Sequence, residues 1–534
     1  MNTATALAVV PECHKLFPKG HFEFEEAPRI DLMLRQYQVH KAKIMAFHDQ
    51  FEDADFAYSL QMILSGNQNI GITMDPSDMD RAASISALDA DYWSKAMNAT
   101  GLYDFMTAER REKWSNAIYL KECPPFEPEA VITTLKELLL SRGTLFAERV
   151  DWVFRKLSGE HKTNLPQGFS KKLIFGTSYD RSGKSDASSV QQNCIQELRY
   201  VIATMLGQEC GKDLESNQIL RDAKANSGKK VEIDGGSLVI TMYKKGTMHV
   251  EVHPEMAWKL NELLNLKNPE AIPNKIRQPY KNALALRSFK TKTMVKDWLP
   301  AAVLSALKEA EWKAEGTELR IGWPHNSDRF VGKWIANILG SLGAELIGPS
   351  LYRFEYDARP VIRQVLLQRC VPEQQSYQFY PTGDELGKMA AEWLNAKPGD
   401  GCLEPQAGRG DLARFLPDES TTCVELSDLR CTVLKQKGFG QVVCADFLEW
   451  GRRTSQRFDK ILSNPPFTGG QDRHHTELAV SLLKVGGSMV VILPSSRREK
   501  LHFSGCKTRW SEVIKGAFED TMASVVVAHI TREQ

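Results

Sequence analysis

The chain has 534 residues, of which 42% are hydrophobic and 25% are charged, and its formal net charge is +1. These proportions are typical of globular protein, and the length favours about two to four domains over a single one. The balanced charge excludes a protein that is basic throughout, so a nucleic-acid partner would require a local basic surface.

The cysteines and the apolar segments indicate the compartment. Ten cysteines are scattered without a CxxC pair, which favours free thiols over a disulfide framework or a zinc site. No stretch of the sequence approaches the ~20 apolar residues that a helix needs to cross a bilayer. The apolar run at residues 6–10 lacks the basic flank of a signal peptide. We therefore expect a cytoplasmic protein without a membrane partner.

The N-terminal part of the chain shows helical periodicity. Residues 1–28 have few periodic signals and are predicted to form an arm, and residues 29–165 are predicted to form a helical region. Asp89 and Asp91 are expected in the first turn of one of these helices, because acids stabilise helix N-termini. Another helix is expected over 127–142, after a pair of prolines that marks a boundary.

The periodicity then changes, and residues 166–283 are predicted to form an α+β region. A strand is expected over 172–175, a helix over 190–206 and a β-meander over 230–252. Residues 284–371 are predicted to form a small α/β unit, with helices over 295–313 and 328–342 and strands over 319–323 and 351–356. A polar linker at 372–376 opens the last predicted domain, residues 372–534.

Two short patterns in the α+β region have competing explanations. Residues 178–185 partly match a phosphate loop, but Ser178 stands where that motif requires glycine, which favours a basic surface loop. His249, Glu251 and His253 alternate along a predicted strand and could bind a metal, whereas an ordinary half-exposed strand face explains them as well. The favoured interpretation includes no metal.

In the last domain, three successive predicted strands end in groups that could hold a nucleoside. The first runs into a glycine turn and a predicted helix start. Gly408 and Gly410 allow close approach of a ligand, and this turn is not the GxGxxG of nicotinamide-binding proteins. The second ends in Glu425, close to the ~20-residue offset at which a carboxylate meets a ribose hydroxyl pair. The third ends in Asp446 and Phe447, which could bind the amine and the ring of an adenine.

A fourth predicted strand, over 460–462, ends in Asn464-Pro465-Pro466-Phe467. The prolines fix the loop at the carboxyl end of the strand, where ligands bind in open α/β sheets. The side-chain oxygen of Asn464 and the carbonyl of Pro465 could accept both N–H bonds of an exocyclic amine and aim its lone pair at an electrophile. Phe467 could stack on the base. Taken alone, a proline-rich turn without function explains these four residues equally well.

Together, these segments resemble class I S-adenosylmethionine-dependent methyltransferases of the N6-adenine DNA type, over residues from about 377 to 534. The resemblance implies a Rossmann-like sheet, S-adenosylmethionine as the cofactor, and a closing hairpin over 518–530. It implies a catalytic loop formed by Asn464, Pro465, Pro466 and Phe467. The cofactor-binding residues that it implies are Tyr380, Pro381, Thr382, Glu404, Ala407, Gly408, Gly410, Glu425, Asp446 and Phe447.

The sequence departs from this family in two respects. Gln406 and Arg409 stand where the glycine motif usually has small residues, and we expect no target-recognition domain after the last strand. A second, less specific resemblance links residues 30–280 to an uncharacterised domain fused to adenine methyltransferases in phage and prophage proteins. It rests on Tyr92-Trp93 and on the segments 111–114, 133–153, 162–164 and 245–249. No activity is implied by this second resemblance.

Basic side chains near the catalytic loop are candidates for contact with DNA. They are Arg473 and His474 after the loop, and Arg497, Arg498 and Lys500 after the strand end at 493–494. A solvated surface loop explains the second group equally well.

The resulting hypothesis is an α/β enzyme that methylates the N6 amine of a flipped adenine in DNA, without a metal or a covalent enzyme intermediate. Residues 30–370 are expected to supply DNA contacts or target choice, and modification of phage or prophage DNA is the expected role. A homo-oligomer or a restriction–modification partner is left open. One alternative is an RNA N2-guanine methyltransferase, which uses the same loop geometry. Another is a non-catalytic DNA-binding or cofactor-sensing subunit of a larger complex.

Overall fold

The computed structural model describes residues 15–18, 27–66, 79–106, 108–157, 164, 168–169, 172–176, 189–208, 216–267, 272–273, 276–278, 294–322, 328–371, 381–517 and 524–533. Its contacts divide the chain into Met1–Lys296, called unit 1, and Asp297–Gln534, called unit 2. The 178–185 loop, the 372–376 linker and Tyr380 lie outside the described residues, as does the 518–523 part of the expected closing hairpin.

Helices form the first half of unit 1, as predicted. Their bounds are Ala27–Asp49 (α1), Ala54–Gly66 (α2), Arg81–Ala99 (α3), Leu102–Phe105 (α4), Ala108–Tyr119 (α5), Pro128–Leu140 (α6) and Arg142–Arg155 (α7).

The expected helix start at Asp89 is wrong. Helix α3 begins at Arg81, where the Asp80 carboxylate accepts hydrogen bonds from two backbone N–H groups of the first turn. Asp89 lies in the middle of α3, is buried, and accepts hydrogen bonds from the Tyr37 hydroxyl (2.7 Å) and the Phe126 N–H (2.8 Å). This acid therefore joins segments that are distant in sequence instead of stabilising a helix end.

A small antiparallel sheet and three helices complete unit 1. The elements are Lys172–Phe175 (β1), Ser189–Met205 (α8), Ser216–Ala225 (α9), Val231–Ile233 (β2), Leu238–Met242 (β3), Met248–Val252 (β4) and Pro254–Lys267 (α10). The strand order is β1-β4-β3-β2, and β2, β3 and β4 form the expected meander.

The alternating His249, Glu251 and His253 do not come together as metal ligands. Glu251 pairs with Lys230 at 2.9 Å, and His253 is buried just before α10. Among the described residues, no group of three or more His, Cys, Asp or Glu side chains could hold a metal ion.

Unit 2 opens with a second small sheet and its helices. The elements are Ala301–Lys308 (α11), Glu311–Lys313 (β5), Glu318–Arg320 (β6), Arg329–Ser341 (α12), Glu345–Gly348 (β7), Leu351–Arg353 (β8) and Arg359–Gln368 (α13), with strand order β5-β6-β8-β7. The helix expected over 295–313 is shorter because residues 311–313 pair with 318–320 as an antiparallel hairpin. Strand pairing thus overrides the local helical pattern.

A seven-stranded sheet forms the rest of unit 2. Its elements are Asp384–Leu394 (α14), Cys402–Glu404 (β9), Thr421–Glu425 (β10), Asp428–Gln436 (α15), Gln441–Cys444 (β11), Phe447–Gly451 (α16), Phe458–Ser463 (β12), Gln471–Ser481 (α17), Leu483–Pro494 (β13), Cys506–Trp510 (β14) and Val525–Arg532 (β15).

The strand order of this sheet is β11-β10-β9-β12-β13-β15-β14. Strands β9 to β13 are parallel to one another, and β15 is antiparallel to both of its neighbours. Every residue of β10 is buried, as expected for a parallel strand covered on both faces. The strand order reverses between β9 and β12, and a crevice at such a point is the usual ligand site of open α/β sheets. The predicted Rossmann-like α/β fold is therefore confirmed.

One expectation in this sheet fails. No α-helix follows the glycine turn, and only a short 3-10 segment, Ala413–Phe415, forms there. The next residue, Leu416, is extended because it precedes Pro417, and the residue before a proline is disfavoured in a helix. No described helix of the chain has both the length and the apolar composition needed to cross a membrane.

Candidate active site

The strand register brings the predicted strand ends to one edge of the large sheet. Glu404 pairs with Cys423 of β10, Leu403 pairs with Ile461 of β12, and Glu425 pairs with Cys444 of β11. Glu425 and Asn464 thus belong to strands separated by one intervening strand. At ~4.8 Å per strand, their backbones lie roughly 10 Å apart. This distance suits one extended nucleoside-containing ligand.

The glycine turn after β9 lies against β10. Gly408 and Gly410 have positive φ angles of 56° and 89°, and a Cβ atom at Gly410 would lie 2.9 Å from the Phe439 ring. The Ala407 N–H donates a hydrogen bond to the Val424 carbonyl (3.0 Å). Both glycine positions therefore require glycine, Gly410 for space as well as for φ.

Glu425 ends β10 as a buried acceptor. Its carboxylate accepts hydrogen bonds from the N–H groups of Gly408 (2.8 Å) and Ser427 (2.7 Å). Burial raises the pKa of Glu425, although Arg430 and these N–H groups favour its ionised form. A carboxylate has about four acceptor positions, so Glu425 can also accept from a pair of ribose hydroxyls.

Glu404 ends β9 and is 2% exposed. Its Oε2 atom is buried and accepts no hydrogen bond from the part of the chain that the structure describes. Burial, assisted by the nearby Asp411 carboxylate, raises the pKa of Glu404 well above its ordinary value. Buried polar atoms are nearly always paired, so an unpaired oxygen beside a glycine turn indicates a place for a ligand's polar group.

Asp446 and Phe447 follow β11 in different environments. The Ala445 N–H donates to the Glu425 carbonyl (3.0 Å), which places Asp446 beside the end of β10. Asp446 is exposed and caps α16, and its Oδ1 accepts from the Leu448 N–H (2.7 Å). Phe447 is buried, with its ring centroid 5.7 Å from that of His475. Contact between Phe447 and an adenine therefore stays a prediction.

Asn464 lies directly after β12 and is fixed by a residue of the implied cofactor segment. Its Nδ2 donates a hydrogen bond to Thr382 Oγ1 (3.1 Å), whereas no hydrogen bond from the described residues reaches its Oδ1. Of the other loop residues, Pro465 is buried, and Pro466 and Phe467 are half-buried. The amide oxygen of Asn464 therefore stays available to accept a hydrogen bond from a substrate.

Sequence analysis missed a hydrogen-bonded chain behind this loop. Ser463 Oγ donates to Gln406 Oε1 (2.8 Å), and Gln406 Nε2 bonds His475 Nδ1 (2.7 Å). Gln406 thereby connects the glycine turn to the end of β12 and to α17. Its departure from the usual small residue was the only signal in the sequence, because the two ends of the Gln406–His475 bond are 69 positions apart.

Arg409, the other departure, connects the glycine turn to the small sheet of unit 2. Its guanidinium donates to Asp411 (2.9 Å) and to the carbonyl of Gly340 near the C-terminus of α12 (2.8 Å). A cleft of about 1200 Å³ lies here, and its lining includes Gly340, Pro381 and Thr382. Thr382 therefore borders the cleft and also contacts Asn464.

Of the five candidate DNA-contact side chains, three form ion pairs, and two are exposed and form none with the described residues. Arg497 forms two hydrogen bonds, of 2.6 and 3.0 Å, to the fully buried Asp472. Arg498 pairs with a surface acid at 3.2 Å, and Arg473 pairs within α17 at 2.6 Å. His474 and Lys500 are exposed and make no ion pair with a described residue. Arg497 thus has a structural contact, and a role in DNA binding stays a prediction for all five.

Comparison with known proteins gives one partial family match. The family model "Domain of unknown function (DUF4942)" matches residues 85–270. This range lies inside the 30–280 segment that was predicted to resemble an uncharacterised domain. No curated protein is significantly similar in sequence to this chain.

Solved structures are similar to a part of the chain. TrmN from Thermus thermophilus is 20% identical with a TM-score of 0.24, and the match covers 28% of this chain and 48% of TrmN. A putative RNA methyltransferase from Pyrococcus horikoshii is 21% identical with a TM-score of 0.24, covering 30% of this chain and 91% of that one. A putative methyltransferase from Escherichia coli is 18% identical with a TM-score of 0.24, covering 29% and 87%. The chain thus spans about half of the T. thermophilus protein, and these similarities decide neither substrate nor activity.

Proposed function

We propose that residues 372–534 bind S-adenosylmethionine and transfer its methyl group to the N6 amine of adenine in DNA. The observation that carries the proposal is the placement of Asn464. It follows the strand at the sheet's topological switch point, its Nδ2 is engaged by Thr382, and its Oδ1 is open. A fixed acceptor at that point is what activation of an exocyclic amine requires.

The residues at the neighbouring strand ends fit the cofactor. Glu425 would accept from the ribose hydroxyls, and the turn at Gly408, whose N–H bonds Glu425, would lie beside the nucleoside. The unpaired Oε2 of Glu404 offers a further polar contact. When bound, S-adenosylmethionine supplies an electrophilic methyl group on a sulfonium.

The chain's own residues would hold the substrate amine. Asn464 Oδ1 and the Pro465 carbonyl would each accept one N–H bond of the amine, which turns its lone pair away from the ring and toward the methyl group. Phe467 would stack on the flipped base, at a contribution of about 1–3 kcal/mol that helps to offset the few kcal/mol needed for unstacking. Binding and orientation therefore supply the catalysis, without proton transfer to a side chain before the methyl transfer.

The test is methyl transfer from radiolabelled S-adenosylmethionine to plasmid DNA and to ribosomal RNA, followed by identification of the modified base. The proposal expects N6-methyladenine in the DNA. The same two acceptors also fit the N2 amine of guanine, so label in RNA guanine would replace this proposal with the RNA alternative. Cofactor binding without transfer to either substrate would favour a cofactor-sensing subunit.

We further propose that residues 30–370 supply DNA contacts or target choice, in a cytoplasmic protein that modifies phage or prophage DNA. DNA affinity of a variant lacking residues 30–370 tests the first part. An affinity equal to that of the full chain, with cofactor binding retained in both, would contradict it.

A further inference from the structure

Helix α12 has two faces that differ sharply in what they contact. Val331, Ile335, Ile338 and Leu339 are buried in the core of the small sheet of unit 2. The opposite stripe is exposed and consists of Phe330, Lys333, Trp334 and Asn337, with Arg329 beside it. The spacing i, i+3, i+4, i+7 places these four side chains on one side of the helix.

Two aromatic rings on this stripe are open to solvent. Phe330 is 59% exposed and Trp334 is 38% exposed, and their ring centroids lie 6.4 Å apart at an interplanar angle of 66°. Single exposed apolar residues are normal on protein surfaces, whereas these two rings form one contiguous apolar surface. Because the rings are not parallel, consecutive bases can stack on both only where the strand is unpaired or kinked.

The charge beside the rings is positive and unpaired. Arg329 and Lys333 form no ion pair with any described residue. In the neighbouring cleft, by contrast, Arg414 pairs with Asp384 and Lys437 pairs with Glu355 at 3.3 Å. Phosphates would have to break those ion pairs to bind in the cleft, whereas Arg329 and Lys333 can receive them directly.

The stripe is also linked to the candidate active site. Gly340, near the C-terminus of α12, accepts the hydrogen bond from Arg409 of the glycine turn. At ~1.5 Å per residue, Phe330 lies roughly 15 Å along the helix from that contact. An extended single strand that passes the Arg409–Gly340 contact would cover this distance within a few nucleotides, at ~3.4 Å per nucleotide.

We infer that the exposed stripe of α12, formed by Arg329, Phe330, Lys333, Trp334 and Asn337, binds the unpaired DNA strand beside the target adenine. The choice of DNA rests on the proposed function, and the combination of stacking rings with free cations is what single strands bind in general. Helix α12 and the small sheet on which it packs would therefore take part in substrate binding.

Two double variants of the full-length protein test the inference by fluorescence anisotropy with a short adenine-containing single strand. Phe330→Ala/Trp334→Ala should weaken binding by about tenfold or more, because the bases lose both of the rings on which they stack. Arg329→Gln/Lys333→Gln should make the negative slope of log affinity against log salt concentration shallower by about 1.4, because two phosphate contacts are lost. Val485→Ala/Arg457→Gln, which changes exposed residues at the amino ends of β13 and β12, is the matched control, because these ends lie opposite the strand ends of the candidate site.

The outcomes separate this inference from the proposed function. If wild type binds no DNA, or if the aromatic variant binds as the control does, the inference is overturned. It is also overturned if the aromatic variant loses only self-association in size-exclusion chromatography, since the stripe would then be a protein interface. Stripe-dependent DNA binding without any methyl transfer would support the stripe and remove the proposed function. Methyl transfer to DNA at the same rate in wild type and in both stripe variants would overturn the inference and support the proposed function.

Discussion

In unit 1, buried charges contact one another. The Arg199 guanidinium donates two hydrogen bonds, of 2.7 and 3.1 Å, to the Asp234 carboxylate, and both side chains are almost fully buried. Arg149, which is buried on α7, donates a hydrogen bond to the half-buried Glu197 on α8. At the strand ends of the large sheet in unit 2, Glu404 is buried as deeply, but its Oε2 has no hydrogen-bond partner among the described residues. Glu425 accepts from two backbone N–H groups and has the Arg430 guanidinium 3.9 Å away.

The difference between the ion pairs of unit 1 and the strand ends of the large sheet separates structural charges from binding charges. A buried ion pair uses up its own hydrogen-bonding capacity and holds together the elements that carry it. A buried carboxyl with a spare acceptor carries an uncompensated cost, which a ligand with donor groups would relieve. The strand ends of the large sheet, and not the ion pairs of unit 1, are therefore the place to look for chemistry.

Unpairing a charge in unit 1 should have the largest effect. Arg199→Met removes the guanidinium that donates to the buried Asp234 carboxylate, and breaking such a buried ion pair costs about 3–5 kcal/mol. Hydrogen exchange of α8 should accelerate accordingly. Arg199→Met/Asp234→Asn removes both charges and should recover most of the protection. Unchanged exchange in the single variant would show that the pair does not hold unit 1 together.

Removing the side-chain oxygen that would accept from the substrate amine in unit 2 should leave the stability of the protein unchanged and reduce the rate of methyl transfer. Asn464→Ala should lower kcat for methyl transfer by about 10²–10³-fold, as loss of one preorganised polar contact does in other enzymes. Cofactor affinity should change by less than about twofold. Asn464→Asp, which keeps acceptor oxygens, should retain more activity than the alanine variant. Equal activity of wild type and Asn464→Ala would contradict the role of this amide.

The Gln406–His475 hydrogen bond predicts a pH dependence. Burial lowers the pKa of His475 below 6.5, with His474 acting in the same direction and Asp446 and Asp472 opposing. A neutral imidazole can accept the bond at Nδ1, so kcat should fall as the pH falls through that lowered pKa. Gln406→Glu places a carboxylate beside the ring and should move this acid limb to higher pH.

Gln406→Leu is the matched control for that pH profile. It keeps the size of the side chain and removes both hydrogen bonds, so kcat should fall by about tenfold at neutral pH. An acid limb that is identical in wild type and Gln406→Glu would exclude His475 as its source.

The smallest effect concerns Glu404 and stability. Because its pKa is raised in the folded protein, the folded state binds more protons than the unfolded state above pH ~4.5. The free energy of unfolding should then decrease as the pH rises from about 4.5 to the raised pKa of Glu404, by at most about 1.4 kcal/mol per pH unit. Glu404→Gln should remove this contribution from denaturant midpoints measured across the range. An unchanged pH profile would mean that Glu404 is not protonated in the fold.

The sequence predicted the large sheet and its strand ends because the relevant signals are local. Glycines, terminal acids and the proline pair lie within a few residues of the strands that they follow, and parallel strands place all their carboxyl ends at one edge. The meander of unit 1 was predictable for the same reason, since its turns follow the strands directly.

Contacts between distant segments were not predictable from the sequence. Asp89 looked like a helix start but bonds Tyr37 and Phe126. Residues 311–313 looked helical but form a strand through pairing with 318–320. Arg409 looked like a flaw in the glycine motif but reaches Gly340. In each case a tertiary partner decides the outcome, and a local pattern carries no information about that partner.

Calorimetric titration of S-adenosylhomocysteine into the full-length protein shows whether the strand ends of the large sheet bind the cofactor. We predict saturable binding of one equivalent, weakened at least tenfold in Glu425→Ala and unchanged in Asn464→Ala, because the Glu425 carboxylate meets the nucleoside and the Asn464 amide does not. Failure of the wild-type protein to bind this ligand would contradict a cofactor site at the strand ends and every step derived from it.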